Sequence, residues 1–130
     1  MVDQEQVLAA FAQLALLSHQ KGQLPARDRF LLLAGAAACR GGVLPAAELC
    51  RQLITASNPG HQLAQFATFP DAMRSEDFRY LVSRTEKGCS YEAAEHLLLQ
   101  VGRTPRGVGD DERVDAFVLQ CLAEIQNGAQ

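Results

Sequence analysis

Ten consecutive residues, Phe30-Leu-Leu-Leu-Ala-Gly-Ala-Ala-Ala-Cys39, carry no polar side chain. The run is too long for an ordinary strand, and its residue types lose little freedom in a helix. Pro25 ahead of it suits a first helical turn, and Gly41-Gly42 behind it suits a helix end. A helix that is apolar on every side belongs at the centre of a fold, with neighbours packed around it. Gly35 and the alanines leave short side chains, so those neighbours can come close. The same preference runs through the chain, which holds 20 Ala and 18 Leu against 8 Val, 2 Ile and 4 Thr. That balance argues against a β-sandwich, a barrel or a Rossmann-type sheet. With 48% apolar and 21% charged residues the chain is a folding sequence, and 130 residues suit one domain.

Helical periodicity continues on both sides of this segment. Val7, Phe11, Leu14 and Leu17 form one stripe behind Asp3, a candidate N-cap, and Lys21-Gly22 supplies the stop. Leu44 to Ser57 begins with Pro45 and ends at Asn58-Pro59-Gly60. Leu63, Phe66 and Phe69 predict one or two helical turns that end before Pro70. Ser75, with Glu76 and Asp77 behind it, caps a helix whose stripe is Phe78, Leu81, Val82 and Thr85. Ser90 caps another, with Ala94, Leu97, Leu98 and Val101, which stops at Gly102. Residues 103–109 read as a flexible loop. The last helix is expected to start in the acidic turn Asp110-Asp111-Glu112 and to carry Val114, Phe117, Val118, Cys121, Leu122 and Ile125. The expected fold is an all-α bundle of six to seven antiparallel helices in a single domain, 1–130.

Two stretches align at an offset of 47 residues: Arg40-Gly41-Gly42-Val43-Leu44-Pro45-Ala46-Ala47-Glu48 and Lys87-Gly88-Cys89-Ser90-Tyr91-Glu92-Ala93-Ala94-Glu95. Both read basic, Gly, four residues, Ala-Ala-Glu. They predict two αα-hairpins sharing one turn geometry, with a left-handed glycine at the helix end and small residues where the two helices touch. Residues 28–61 place Gly35, Gly42, Ala47 and Pro59 at small, turn, small and Pro positions. In this they resemble one tetratricopeptide repeat. Ala38 and Arg51 stand where that family commonly has bulky rings, and the 47-residue offset is not the family's 34. The resemblance covers about a quarter of the chain and implies a helical hairpin used for protein–protein contact.

Formal net charge is −3, and no basic run marks a nucleic-acid face. Cys39, Cys50, Cys89 and Cys121 match no zinc spacing, the N-terminus lacks a signal-peptide pattern, and no apolar run reaches membrane-spanning length. The expectation is therefore a cytoplasmic protein with reduced thiols, no cofactor or metal, no nucleic-acid or membrane partner. Neither G-x-S-x-G, a P-loop nor G-x-G-x-x-G is present.

Candidate functional residues are few. Arg74, Arg79 and Tyr80 lie in a mixed-charge stretch whose types are enriched in binding hot spots. Glu92 and His96 share a helix face, most simply as an i, i+4 ion pair. With Glu95 they are the seed of an alternative enzyme, metal or ligand site. Cys89, just ahead of a helix N-terminus, is the thiol best placed for a lowered pKa. His19 and His61 read as helix-end and loop residues. The leading expectation is an adaptor or scaffold module that presents a helical groove to a peptide or helix of another protein, and more a binding protein than an enzyme. Self-association through the last helix, giving a homodimer, is the other alternative.

Overall fold

The computed structural model describes residues 3–108 and 112–128. Seven α-helices follow in order: α1 (Gln4–Gln20), α2 (Leu24–Gly41), α3 (Leu44–Ser57), α4 (Phe69–Met73), α5 (Glu76–Gly88), α6 (Tyr91–Gln100) and α7 (Val114–Asn127). A 3-10 turn, Gln62–Gln65, precedes α4, and no strand occurs among the described residues. The all-α fold is as expected.

Every residue from Leu31 to Ala38 is buried, as a centrally placed α2 requires. Its neighbours are α1, α3, α4 and α5. α1 is buried on more sides than its stripe of large residues implied. Leu8 to Leu16 are all buried, with α2 against one flank and α6 and α7 against others. The reason is Ala9, Ala10, Ala12 and Ala15. They weigh little in an apolar stripe, yet they let three helices approach one backbone.

Gly35 shows how close that approach is. The ring of Phe69, fully buried, lies over it so tightly that a Cβ there would stand 2.1 Å from Cε2. Phe69 also meets Phe78 edge-on at 5.6 Å between centroids, which joins α2, α4 and α5 in one aromatic cluster. The helical turn after His61 ends before Pro70, as expected, but Phe69 and Pro70 themselves open a further helix, α4, and lie in its first turn. Thr68 caps that turn, its Oγ1 accepting from Asp71 N–H at 3.1 Å, and proline is tolerated there because first-turn amides have no helical partner.

The two aligned turns do not have the same geometry. Gly42 is left-handed at φ 77°, and Val43 N–H closes on the Ala38 carbonyl at 2.8 Å, which folds α3 back onto α2. The residue aligned with Gly42 is Cys89, whose side chain disfavours the left-handed region, and it is extended at φ −150°. After this turn the chain leads away from α5. α5 rests on α2 and α4, while α6 rests on α1. α6 also runs in the same direction as α1. Its start shares a cleft with Gln4 and Val7, and its end shares one with Leu17 and Lys21.

The loop after α6 is held to the body. Buried Gln13 donates from Nε2 to the carbonyls of Thr104 and Pro105, each at 3.0 Å. α7 begins at Val114 behind Arg113, with Asp115 as its first-turn acid. Asp110 and Asp111 of the expected acidic start lie outside the described residues, as does Gly109. The apolar face of α7, with Val118, Cys121, Leu122 and Ile125, packs on α1 and α3 of its own chain. The face proposed for self-association through this helix is thus already covered.

Candidate groove over the second helix

The parting of α5 and α6 leaves part of α2 uncovered between them. Two clefts open there, and Phe30 lines both. The first, about 420 Å³, lies toward α5, with Leu33, Leu81, Thr85 and Cys89 in its walls. The second, about 330 Å³, lies toward α6, with Leu14, Leu17, Leu97 and Val101. Phe30 is held between them by the core side, where its ring stacks on Phe11 at 6.2 Å and 25°. Only Ala94 and Leu98 of α6 are fully buried. Leu97 is 41% exposed and Val101, the residue that caps α6, 53%, so the end of α6 turns apolar surface outward along one edge of this groove.

The charges lining the two clefts are of one sign. Arg29 and Arg84 line the first and Lys21 the second, and no carboxylate lines either. None of these three cations forms an ion pair among the described residues. Arg84 lies over the ring of Tyr80 at 5.7 Å, which orients it without neutralising it.

A polar network occupies the neighbouring end of the bundle and was not singled out from sequence. Arg27 is buried, and its Nε and Nη2 both donate to Asp28 Oδ1 at 3.1 Å. Asp28 Oδ2 accepts from the Ser57 hydroxyl at 3.0 Å. Arg27 Nη1 lies 3.2 Å from His19 Nδ1. A guanidinium only donates, so this ring nitrogen accepts, and His19 sits in the last turn of α1 as expected. His61 caps the 3-10 turn, its Nδ1 accepting from Leu63 N–H at 3.1 Å. Burial pushes the His61 pKa down, against the pull of the Asp28 carboxylate. The network joins α1, α2 and α3. Its polar groups are matched to one another, which is how a structural cluster reads.

The sequence-derived candidates do not come together. Arg79 Nη1 donates to the carbonyls of Met73 and Arg74, both at 3.2 Å, and so ties α5 to the end of α4. Arg74 is exposed, and Tyr80 is 65% exposed beneath Arg84. Glu92 lines a small cleft with Gln4, Arg40 and Tyr91. His96 is paired through Nε2 with the Gln100 side chain at 3.1 Å, one turn onward, where an ion pair with Glu92 was expected. Arg74, Arg79 and His96 line none of the clefts above. Among the described residues, no three His, Cys, Asp or Glu side chains are grouped as a metal site would need, Glu92, Glu95 and His96 included.

Cys89 departs from its expected chemistry. It is half-buried, and burial pushes its thiol pKa up, with the Arg29 guanidinium pulling the other way. Burial likewise raises Cys39 and Cys121 to about 11, and it raises Cys50, so none is an activated nucleophile. No helix among the described residues is long and apolar enough to cross a membrane. No family model matches the chain, and neither a curated protein nor a solved structure matches it.

Proposed function

We propose that the protein is a small helical adaptor whose groove over α2, between α5 and α6, seats a helix of another protein. The observation that carries this reading is the pair of clefts that meet at the ring of Phe30, each with large apolar side chains in its walls. Neighbouring anchors on one face of a helix, three or four residues apart, have Cβ atoms about 5–6 Å from one another. A helix laid across Phe30 can place one apolar side chain in each cleft, which is the helix-in-groove mode of recognition. The resemblance of residues 28–61 to a tetratricopeptide repeat fits a role in protein contact, by analogy only. Of the residues singled out from sequence, Tyr80 reaches the groove through Arg84, whereas Arg74, Arg79, Glu92 and His96 line neither cleft.

A displayed library of helical peptides of about 15 residues, near the minimum for a helix in water, tests this reading. Selection on the protein is expected to enrich sequences with two large apolar residues at i and i+4. Leu97→Glu, at an exposed position, is expected to abolish their binding while leaving the melting curve unchanged. Enrichment of extended or polar sequences, or binders indifferent to Leu97→Glu, would contradict it.

A further inference from the structure

We infer that the occupant of this groove is an acidic amphipathic helix, with carboxylates flanking its two apolar anchors. The inference rests on the groove being a helix-binding site and adds the chemistry of the partner. Arg27, Arg40, Arg51 and Arg113 are paired, with Asp28, Glu86, Glu48 and Asp115 in turn. Arg29, Arg84 and Lys21 have no such partner among the described residues, and all three border the two clefts that meet at Phe30.

Their placement differs from that of a basic surface made for nucleic acid. Three cations give little counterion release, and the protein as a whole carries a net charge of −3. Leu33, Leu81, Leu97 and Val101 give these walls an apolar part that a phosphate chain would leave unused. A helix with leucine-like anchors fills those walls, and its carboxylates reach guanidinium groups that form planar, two-point contacts. Arg84, stacked on Tyr80, is already oriented for one of them.

Two peptides of about 15 residues are compared by fluorescence anisotropy, each with leucine at i and i+4. In one the flanking residues are glutamate, in the other glutamine, so that helix propensity is matched. The acidic peptide is expected to bind at least about tenfold more tightly at low salt, and high salt is expected to shrink that advantage. Arg29→Glu with Arg84→Glu, both at exposed positions, is expected to abolish the preference and to confer binding of a lysine-flanked peptide. Equal affinity for the two peptides, with binding still lost in Leu97→Glu, would overturn the acidic partner and leave the groove standing. Binding of neither would remove both. Tighter binding of an oligonucleotide of equal charge, or a dimer in sedimentation that the double reversal dissolves, would overturn it in favour of phosphate or a second copy.

Discussion

Gly35→Ala is expected to destabilise the fold by about 3 kcal/mol, although alanine is the better helix former by about 1 kcal/mol. The added methyl group meets the Phe69 ring at 2.1 Å, far inside contact distance. It cannot be accommodated by a surface shift, because Phe69 is fully buried and is itself braced by Phe78. α4 must lift from α2, or the ring must leave its site. For a domain of this size the change corresponds to a fall in Tm of about 10 °C. Thermal unfolding followed by circular dichroism reads it directly. Phe69→Leu in the Gly35→Ala background is expected to recover part of the loss, since a smaller side chain relieves the overlap. A Gly35→Ala protein as stable as the parent would show that the ring does not lie where it is described.

The second large effect is expected at Arg27. Its guanidinium is buried and holds Asp28 with two hydrogen bonds. Arg27→Met keeps much of the apolar stem but leaves the Asp28 carboxylate with the Ser57 hydroxyl as its remaining hydrogen-bond partner. Breaking a buried pair from one side costs about 3–5 kcal/mol, and the partial exposure of Asp28 lowers this to about 2–3 kcal/mol. In the Arg27→Met background, Asp28→Asn is expected to restore stability, because it removes the unmatched charge. Chemical denaturation of the four proteins in that cycle measures the coupling. Additive losses, with no recovery on Asp28→Asn, would mean that the pair is not a unit.

Much of the architecture was legible because it is written locally. The apolar run at 30–39 marked α2 as central, and it is. Gly42 marked a tight return, and α3 folds back on α2 there. Where the reading departed from the structure, the cause was a contact or a conformation that similar sequence can hide. Residues 40–48 and 87–95 look alike, yet the position of Gly42 is taken by Cys89, and that exchange separates α5 from α6. The burial of α1 rests on alanines, which a search for large apolar stripes passes over.

The groove was less legible than the fold. Arg79, Tyr80 and His96 drew notice by residue type, whereas Arg29, Arg84 and Lys21 sit at ordinary helix positions. What sets these three apart is that they border clefts that no carboxylate lines, and their coming together from three separate segments leaves no periodic trace. Phe30 belonged to the apolar run and read as core. It is half-buried, because nothing covers the side of α2 that faces between α5 and α6.

Chemical-shift mapping of the isotopically labelled protein, titrated with the glutamate-flanked helical peptide, is the direct test of that groove. Shifts concentrated at Phe30, Leu33, Leu81, Leu97 and Val101, with Leu53 on α3 and Ile125 on α7 unmoved, are the expected result. Shifts centred on α3 and α7, or none at saturating peptide, would contradict it.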